Sequence, residues 1–478
     1  MNFSLTIICF SLFLILFLGI GAIAAKVSTN TEADYLLGNR SFGKVFIGLS
    51  AGATGNSGWI MTGVVGFSYL MGTYSLLMCL GFFLGEVTFW SLFPYQINQI
   101  SQQQNSQTVP ELIGLSVKNT QGKLIITKIV ALLTIVFIGA YLAAQFSAAA
   151  KTLNAFFGVQ PEWGAIIAAI AILAYSVTGG IRASIWTDVV QAFVVMFVSY
   201  GMLIVAIIAG GGVGEILREL YSIDPQLVNF SIDRGIWTLV TYVLGFIAAG
   251  LGFNLSQPQF LVRLMAGRSP QEVKQAKWIY IGYVYSTYLA MILFGIICRV
   301  LLPNLSDPEQ ALPLYAMKHF HPILVGIVLA GVFSVIASTA DSLILVCSSA
   351  VAKDIAPSFY QKMSRKYGIK YQQLITLLVG IVTVIASIFS SATVFALVLF
   401  AIGVLGGSIA PALLIILLKR RTHHIALGTM MLVGLATAIT WQILGLNSIL
   451  NETIPGIIMA LLYHEILMKT FFQLKQSS

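Results

Sequence analysis

The sequence predicts an all-α, polytopic membrane protein, and three observations carry that prediction. Its 478 residues are 58% hydrophobic and only 9% charged, against roughly 25% charged in a water-soluble domain. Apolar runs recur along the whole length, each close to the roughly 20 residues that a spanning helix needs. Lysine and arginine then alternate between the connections with the period that such spans impose. Mean hydropathy is +0.91.

The runs fall at about 4–25, 43–70, 72–96, 125–151, 160–178, 185–211, 234–255, 275–302, 320–347, 371–389, 392–418, 424–444 and 453–470, about thirteen transmembrane helices in all. The first has no basic segment before it and reads as a retained span, not a cleaved leader. With thirteen spans, the side opposite the N-terminus collects 21 of the 26 Lys and Arg residues. The positive-inside rule then places the N-terminus outside and the C-terminus in the cytoplasm. The net charge of +9 is therefore a cytoplasmic-loop bias and implies no nucleic-acid partner. The longest connections, 97–124, 212–233, 303–319 and 348–370, are too short for a soluble domain. Gln96–Gln107, rich in Gln, Asn and Ser, reads as the start of a linker. Cys9, Cys79, Cys298 and Cys347 lie in apolar runs without CxxC spacing and read as small buried hydrophobes. His319, His321, His423, His424 and His464 sit near run ends with no thiol or carboxylate cluster to make a metal site.

Two runs are interrupted. The second breaks at Ala51-Gly52-Ala53-Thr54-Gly55-Asn56-Ser57-Gly58, and the seventh at Gly250-Leu251-Gly252-Phe253-Asn254-Leu255-Ser256-Gln257-Pro258. In lipid, backbone that leaves the helix must face protein or a water-filled cavity. There its carbonyls and half-helix ends can hold an ion and a charged solute. The same small residues also suit a close helix–helix contact. The two breaks lie five spans apart. That odd offset gives two halves of opposite topology, and interrupted helices in corresponding places point to a transport site.

Acids inside spans are costly, and each is a functional candidate. Asp188 follows Trp186-Thr187 at the start of the sixth run, where an acid also suits a helix N-terminus. Asp341 lies in Ser338-Thr339-Ala340-Asp341-Ser342, a set of hard oxygen ligands whose hydroxyls can also bond back to their own helix. Glu86 sits in the third run after Gly81 and Gly85, as a proton carrier, a partner for a buried polar group, or a neutral carboxyl. Tyr141 and Gln145 are one turn apart and share a face that suits a cavity wall. No nucleophile elbow, HExxH or phosphate loop is present, so an enzyme is not expected.

These residues also carry a family resemblance. Leu36-Leu37-Gly38-Asn39-Arg40-Ser41, Leu49-Ser50-Ala51-Gly52-Ala53, Ser57-Gly58-Trp59, Thr108-Val109-Pro110-Glu111-Leu112, Gly179-Gly180-Ile181-Arg182, Trp186 to Ala192, Ser256-Gln257-Pro258-Gln259-Phe260, Arg263-Leu264-Met265-Ala266, Ser338 to Ser342 and Leu345 to Ala350 occur in order. Together they resemble the sodium:solute symporter family, near its sodium/proline symporter branch. The resemblance implies an inverted five-plus-five-helix repeat core (LeuT-like) of spans two to six (43–211) and seven to eleven (234–418). Residues 1–42 would be the first transmembrane helix with its cytoplasmic loop, and 419–478 two C-terminal helices with a short tail.

By the same resemblance, sodium would lie between carbonyls of Ala53 and Asn56, the Val335 carbonyl and the hydroxyls of Ser338 and Thr339, with Asp188 as a second ion-linked group. The solute would sit beside Ser57, Gly58, Tyr141, Gln145, Asn254 and Gln257. Gly55 stands where the proline branch has an aspartate. Gly250 and Asn254 stand where it has aromatic residues, so the stacking surfaces of that branch are expected to be missing. Glu86 or Asp341 is the expected replacement for the absent charge, with partial proton coupling as the other route. The implied function is cation-coupled, sodium-driven import of a small organic solute, such as proline or another amino acid, by alternating access across a bacterial inner membrane. Partners would be the solute, the sodium ion and the lipid bilayer, with no other cofactor. A sugar, sialic acid or vitamin acid as solute, or a transporter-like membrane sensor, are the alternatives.

Overall fold

The computed structural model describes residues 3–29, 31–230, 235–389, 393–448 and 450–476. The fold is all-helical. In chain order α1 (Phe3–Val27) and a short α2 (Glu32–Leu37) lead into α3 (Lys44–Met61) and α4 (Gly63–Met71). Next come α5 (Ser75–Leu92), α6 (Pro94–Gln104), α7 (Val109–Leu115), α8 (Thr120–Leu133), α9 (Gly139–Phe157), α10 (Pro161–Ala209) and α11 (Val213–Ile223). Then follow α12 (Gly235–Ser256), α13 (Pro258–Met265), α14 (Pro270–Gln275), α15 (Lys277–Leu301), α16 (Ala311–His319), α17 (Pro322–Ser349) and α18 (Pro357–Tyr367). The last four are α19 (Ile369–Ile388), α20 (Val394–Leu417), α21 (His424–Ile443) and α22 (Thr453–Gln476). Among the described residues, ten helical segments are long and apolar enough to cross a membrane. The gap between the predicted runs 371–389 and 392–418, residues 390–391, and the first residue of the second run lie outside the described residues, as does Arg234.

The 49 residues of α10 would reach about 74 Å if straight, more than twice the roughly 30 Å of a bilayer core. They fold back at Gly180, whose φ of 54° and ψ of −149° only glycine adopts readily. A side chain there would also meet the Tyr35 carbonyl at 2.6 Å. The reversal is visible along α17: the Tyr175 hydroxyl donates to Ala337 O (3.4 Å), Ser184 reaches Asp341 (2.9 Å), and Val198 packs back on Gly331. The two arms are the predicted runs 160–178 and 185–211. Arg182 fastens the turn, pairing with Asp34 and donating to Gly38 O at 3.1 Å. Burial pushes the Asp34 carboxyl up, but bonds from Arg182, Ser28 and Thr29 outweigh it and hold the group below the usual carboxylate range.

Helix α17 is the centre of the bundle. It packs against α1, α3, α9 and α10 and is buried along most of its length, whereas α1 lies at the periphery.

Three expectations need correction. Gln96–Gln107 is mostly helical, because Pro94 starts α6 at a position where its missing N–H costs nothing. Both interruptions are narrower than their glycines suggest. In α3 only Ser57 leaves helical geometry, and α12 runs unbroken through Gly250 and Gly252 to Ser256. Those glycines serve packing instead: a side chain at Gly250 would strike the Phe82 carbonyl at 2.7 Å, and one at Gly52 the Tyr283 ring at 2.5 Å. Arg263, counted among the loop charges, is 1% exposed.

Candidate ion and solute site

Ser57 sits at φ 52° and ψ 174°, a region nearly reserved for glycine and costing on the order of 1–3 kcal/mol for other residues. The surroundings hold it there. Its Oγ accepts from Trp59 N–H (3.1 Å), and the freed Gly58 N–H donates to Gln145 Oε1 (2.8 Å). The Tyr141 hydroxyl also reaches Ser57. Gln145 and Tyr141, one turn apart on α9, therefore partner the break itself. Matching it, α12 ends at Ser256, and extended Gln257 with Pro258 starts α13 in a new direction. The Gln257 side chain accepts from Gln259 at 3.0 Å.

On the other side of α3 the break meets α17. Ser338 Oγ lies 3.1 Å from Ala53 O and 3.2 Å from Val335 O, and Thr339 Oγ1 lies 3.0 Å from Thr54 O. Carbonyls and hydroxyls from two helices thus converge in a dry place, as hard oxygen donors for a small cation. Ala53, Val335, Ser338 and Thr339 come together here. The side chain of Asn56 turns away, donating to Thr287 Oγ1 on α15 at 2.9 Å.

Asp188 lies in a second cluster, about a turn of α3 from Ala53. Its Oδ2 accepts from Ser50 (2.6 Å) and faces the Arg263 guanidinium at 3.4 Å. Arg263 also donates to Ser184 (2.6 Å) and Ser342, and Asp341 Oδ1 accepts from Ser184 and Ser342, each at 2.9 Å. Two buried acids share one buried base, and a buried charge is tolerable only when paired in this way. Ser342 links the cluster to Thr54 at 3.2 Å.

A third place is a small cavity of about 30 Å³ between α3, α5, α9, α12, α15 and α20. Gly55, Asn56, Glu86 and Tyr141 line it with an aromatic wall of Trp59, Phe82, Phe253, Tyr285 and Tyr288. These rings come from other positions than Gly250 and Asn254, where the stacking surfaces were expected to be missing. Trp59 alone has Phe82 and Tyr288 rings each 5.9 Å away. Glu86 accepts from the Tyr280 hydroxyl at 2.9 Å and is also met by Tyr285 and Asn254.

The sequence reading missed Arg263 and the α15 tyrosines. A signal existed for each. Tyr280, Val284 and Tyr288 repeat every four residues, which is one helix face. Arg263 is a lone charge in an otherwise apolar stretch that follows a break.

The model of the sodium:solute symporter family matches residues 35–434. The osmoregulated proline transporter OpuE of Bacillus subtilis is 28% identical, covering 95% of this chain and 93% of its own length. The high-affinity proline transporter PutP of the same organism is 31% identical, covering 93% of each. The sodium/proline symporter of Escherichia coli is 29% identical, covering 92% and 88%. A substrate-bound, outward-open Na⁺-coupled sialic acid symporter shares the fold at TM-score 0.81 and 17% identity, with 97% of both chains covered. A nucleobase-cation-symport-1 family transporter in a closed conformation does so at TM-score 0.58 and 15% identity, covering 91% and 94%. With its family model and relatives matched over nearly its whole length, the chain belongs to the sodium:solute symporter family, multi-pass membrane transporters and not enzymes.

Proposed function

We propose that the protein is a sodium-coupled symporter that imports proline, or a closely similar small amino acid, by alternating access. The observation that carries this is Ser338 Oγ set between the carbonyls of Ala53 and Val335, beside the break at Ser57. An ion there ties α3 to α17. It stabilises the arrangement in which the broken helix presents its ends to the solute, and that differential stabilisation is what couples ion to solute. Thr339 completes the oxygen set, and the Asn56 carbonyl is its further ligand. Asp188 and Asp341, sharing Arg263, form a second ion-linked group close by.

The solute occupies the cavity next to Ser57, Gly58, Tyr141 and Gln145, with Asn254 and Gln257 at the opposing break. The proline transporters among the relatives favour proline, and the aromatic wall offers apolar faces to its ring. The chain crosses the membrane thirteen times with its N-terminus outside. Residues 43–211 and 234–418 are the inverted repeats, between 1–42 and 419–478.

The test is uptake of labelled proline into proteoliposomes under an inward sodium gradient, with potassium as control, across a panel of amino acids, sugars and carboxylates. Concentrative, sodium-dependent proline uptake is the expected result. Proline uptake indifferent to sodium but abolished by a protonophore would overturn the coupling ion, and uptake confined to sugars would overturn the solute class.

A further inference from the structure

We propose that Glu86 is the countercharge for a protonated nitrogen on the solute, so that the cavity selects molecules bearing an ammonium group. This rests on the cavity being the solute site, and it adds which end of the solute is read and by what.

The placement of Glu86 begins in the sequence. Gly81 and Gly85 precede it on α5, and both are pressed against α12. A side chain at Gly85 would strike Ile247 O at 2.2 Å, and one at Gly81 would strike Phe246 at 2.5 Å. This close approach delivers Glu86 to the cavity beside Asn254, near the end of α12. The carboxylate is 5% exposed. Every polar group named against it is neutral: the Tyr280 hydroxyl at 2.9 Å, Tyr285 and Asn254. Among the described residues lining the cavity there is no lysine, arginine or histidine. The acid is thus the one formal charge of that lining, and the protein supplies it with no base. A buried carboxylate without a partner is costly, so an arriving cation gains what the protein has left unpaired.

The walls indicate which kind of cation. Trp59, Phe82 and Tyr288 line the same cavity as the acid, and aromatic rings attract organic ammonium groups within about 6 Å. Asn254 lies behind that lining, beside Glu86: it donates its Nδ2 to Gly250 O at 2.9 Å, and its Oδ1 has no hydrogen-bond partner. Of the two N–H donors of a secondary ammonium, one is for Glu86. The oxygens suited to sodium are gathered elsewhere, at Ala53, Val335 and Ser338.

The experiment compares wild type, Glu86→Gln and Glu86→Asp in proteoliposomes. The ligands are proline and tetrahydrofuran-2-carboxylate, in which oxygen replaces the ring nitrogen. Melting of the purified proteins is measured with the same ligands and with choline. In wild type, proline should compete at least about tenfold better than the oxygen analogue. In Glu86→Gln the half-saturating proline concentration should rise roughly tenfold or more while the analogue changes little, so discrimination collapses. Glu86→Asp should keep the discrimination at weaker affinity, which also shows that the site tolerates change there. The half-saturating sodium concentration at saturating solute should move less than about twofold. A Glu86→Gln protein that discriminates as well as wild type, or one in which only sodium dependence shifts, overturns the proposal. If proline is not taken up at all yet choline raises the melting point of wild type and not of Glu86→Gln, the ammonium site stands and the proline reading falls. If proline is taken up equally by both, the reverse holds.

Discussion

Among the buried acids of this molecule, those of two neighbouring places are built on opposite terms. In the α10–α17 cluster, Asp188 and Asp341 share Arg263, and four hydroxyls, those of Ser50, Ser184, Ser342 and Thr54, link the group. In the cavity, Glu86 has aromatic rings and neutral donors but no base. The first carries its own cation and is bound into the packing between helices. The second has no base of the chain beside its acid. Burial alone therefore does not tell an acid answered within the chain from one that is not. What separates them is whether the countercharge belongs to the chain.

The comparison breaks most easily at Arg263. Arg263→Met strands two acids together in a dry place, and removing one partner of a buried pair costs about 3–5 kcal/mol. The expected result is a collapse of folded yield and a large fall in the melting point of the purified protein. Combining Arg263→Met with Asp188→Asn and Asp341→Asn removes the stranded charges and should recover much of that loss. A single Arg263→Met protein that melts like wild type would show that the guanidinium does not hold this cluster together.

How far this contrast could be read from the sequence depends on the residue. Asp188, Asp341 and Glu86 were legible as acids inside apolar runs, and Ser57 as part of a broken helix. Their grouping was not. Arg263 looked like a loop charge, because the positive-inside count is blind to a cation that turns inward after a helix break. The aromatic wall was invisible for a related reason. Trp59, Phe82, Phe253 and Tyr288 come from four separate helices, and only the packing permitted by Gly81, Gly85 and Gly250 brings them together. The helices themselves were plain, since their length and apolarity are local properties. The runs 160–178 and 185–211 were read as separate, and the reversal at Gly180 falls between them.

Gly55 sharpens the contrast from the cavity side. A side chain there would meet the Tyr280 hydroxyl at 3.4 Å and Phe253 at 4.0 Å, which is ordinary contact, so Gly55→Asp fits. Its carboxylate would face the same tyrosine that serves Glu86, and like charges held close in a low-dielectric cavity repel. Gly55→Asp alone should therefore lower proline uptake by roughly tenfold or more. Adding Glu86→Gln should restore a single acid to the cavity and recover much of the uptake. If the double variant is no better than Gly55→Asp, the two positions do not share one charge.

Ser338→Ala tests the oxygen set that separates ion from solute. It removes one neutral ligand and leaves the carbonyls of Ala53 and Val335 in place. The half-saturating sodium concentration should rise about tenfold, while proline affinity at saturating sodium stays near wild type. A variant with unchanged sodium dependence would move the ion away from this junction.

The smallest effect belongs to the pair that most resembles the Arg263 cluster but lies outside the spans. Asp34, buried in α2, is paired with Arg182 and bonded by Ser28 (2.7 Å) and Thr29 N–H (2.9 Å), so its charge is fully answered. Asp34→Asn should cost about 1–2 kcal/mol, read as a modest fall in melting point. The pH dependence follows from the lowered carboxyl. A group whose folded value lies below its unfolded one, about 3.9, stabilises fully above that pH and loses its contribution as pH falls through the folded value. The gap in melting point between wild type and Asp34→Asn should therefore be flat from pH 5 to 8 and close only in strong acid. A gap that changed across the neutral range would mean that Asp34 is not held ionised by Arg182, and that a base beside a buried acid is not enough to mark it as structural.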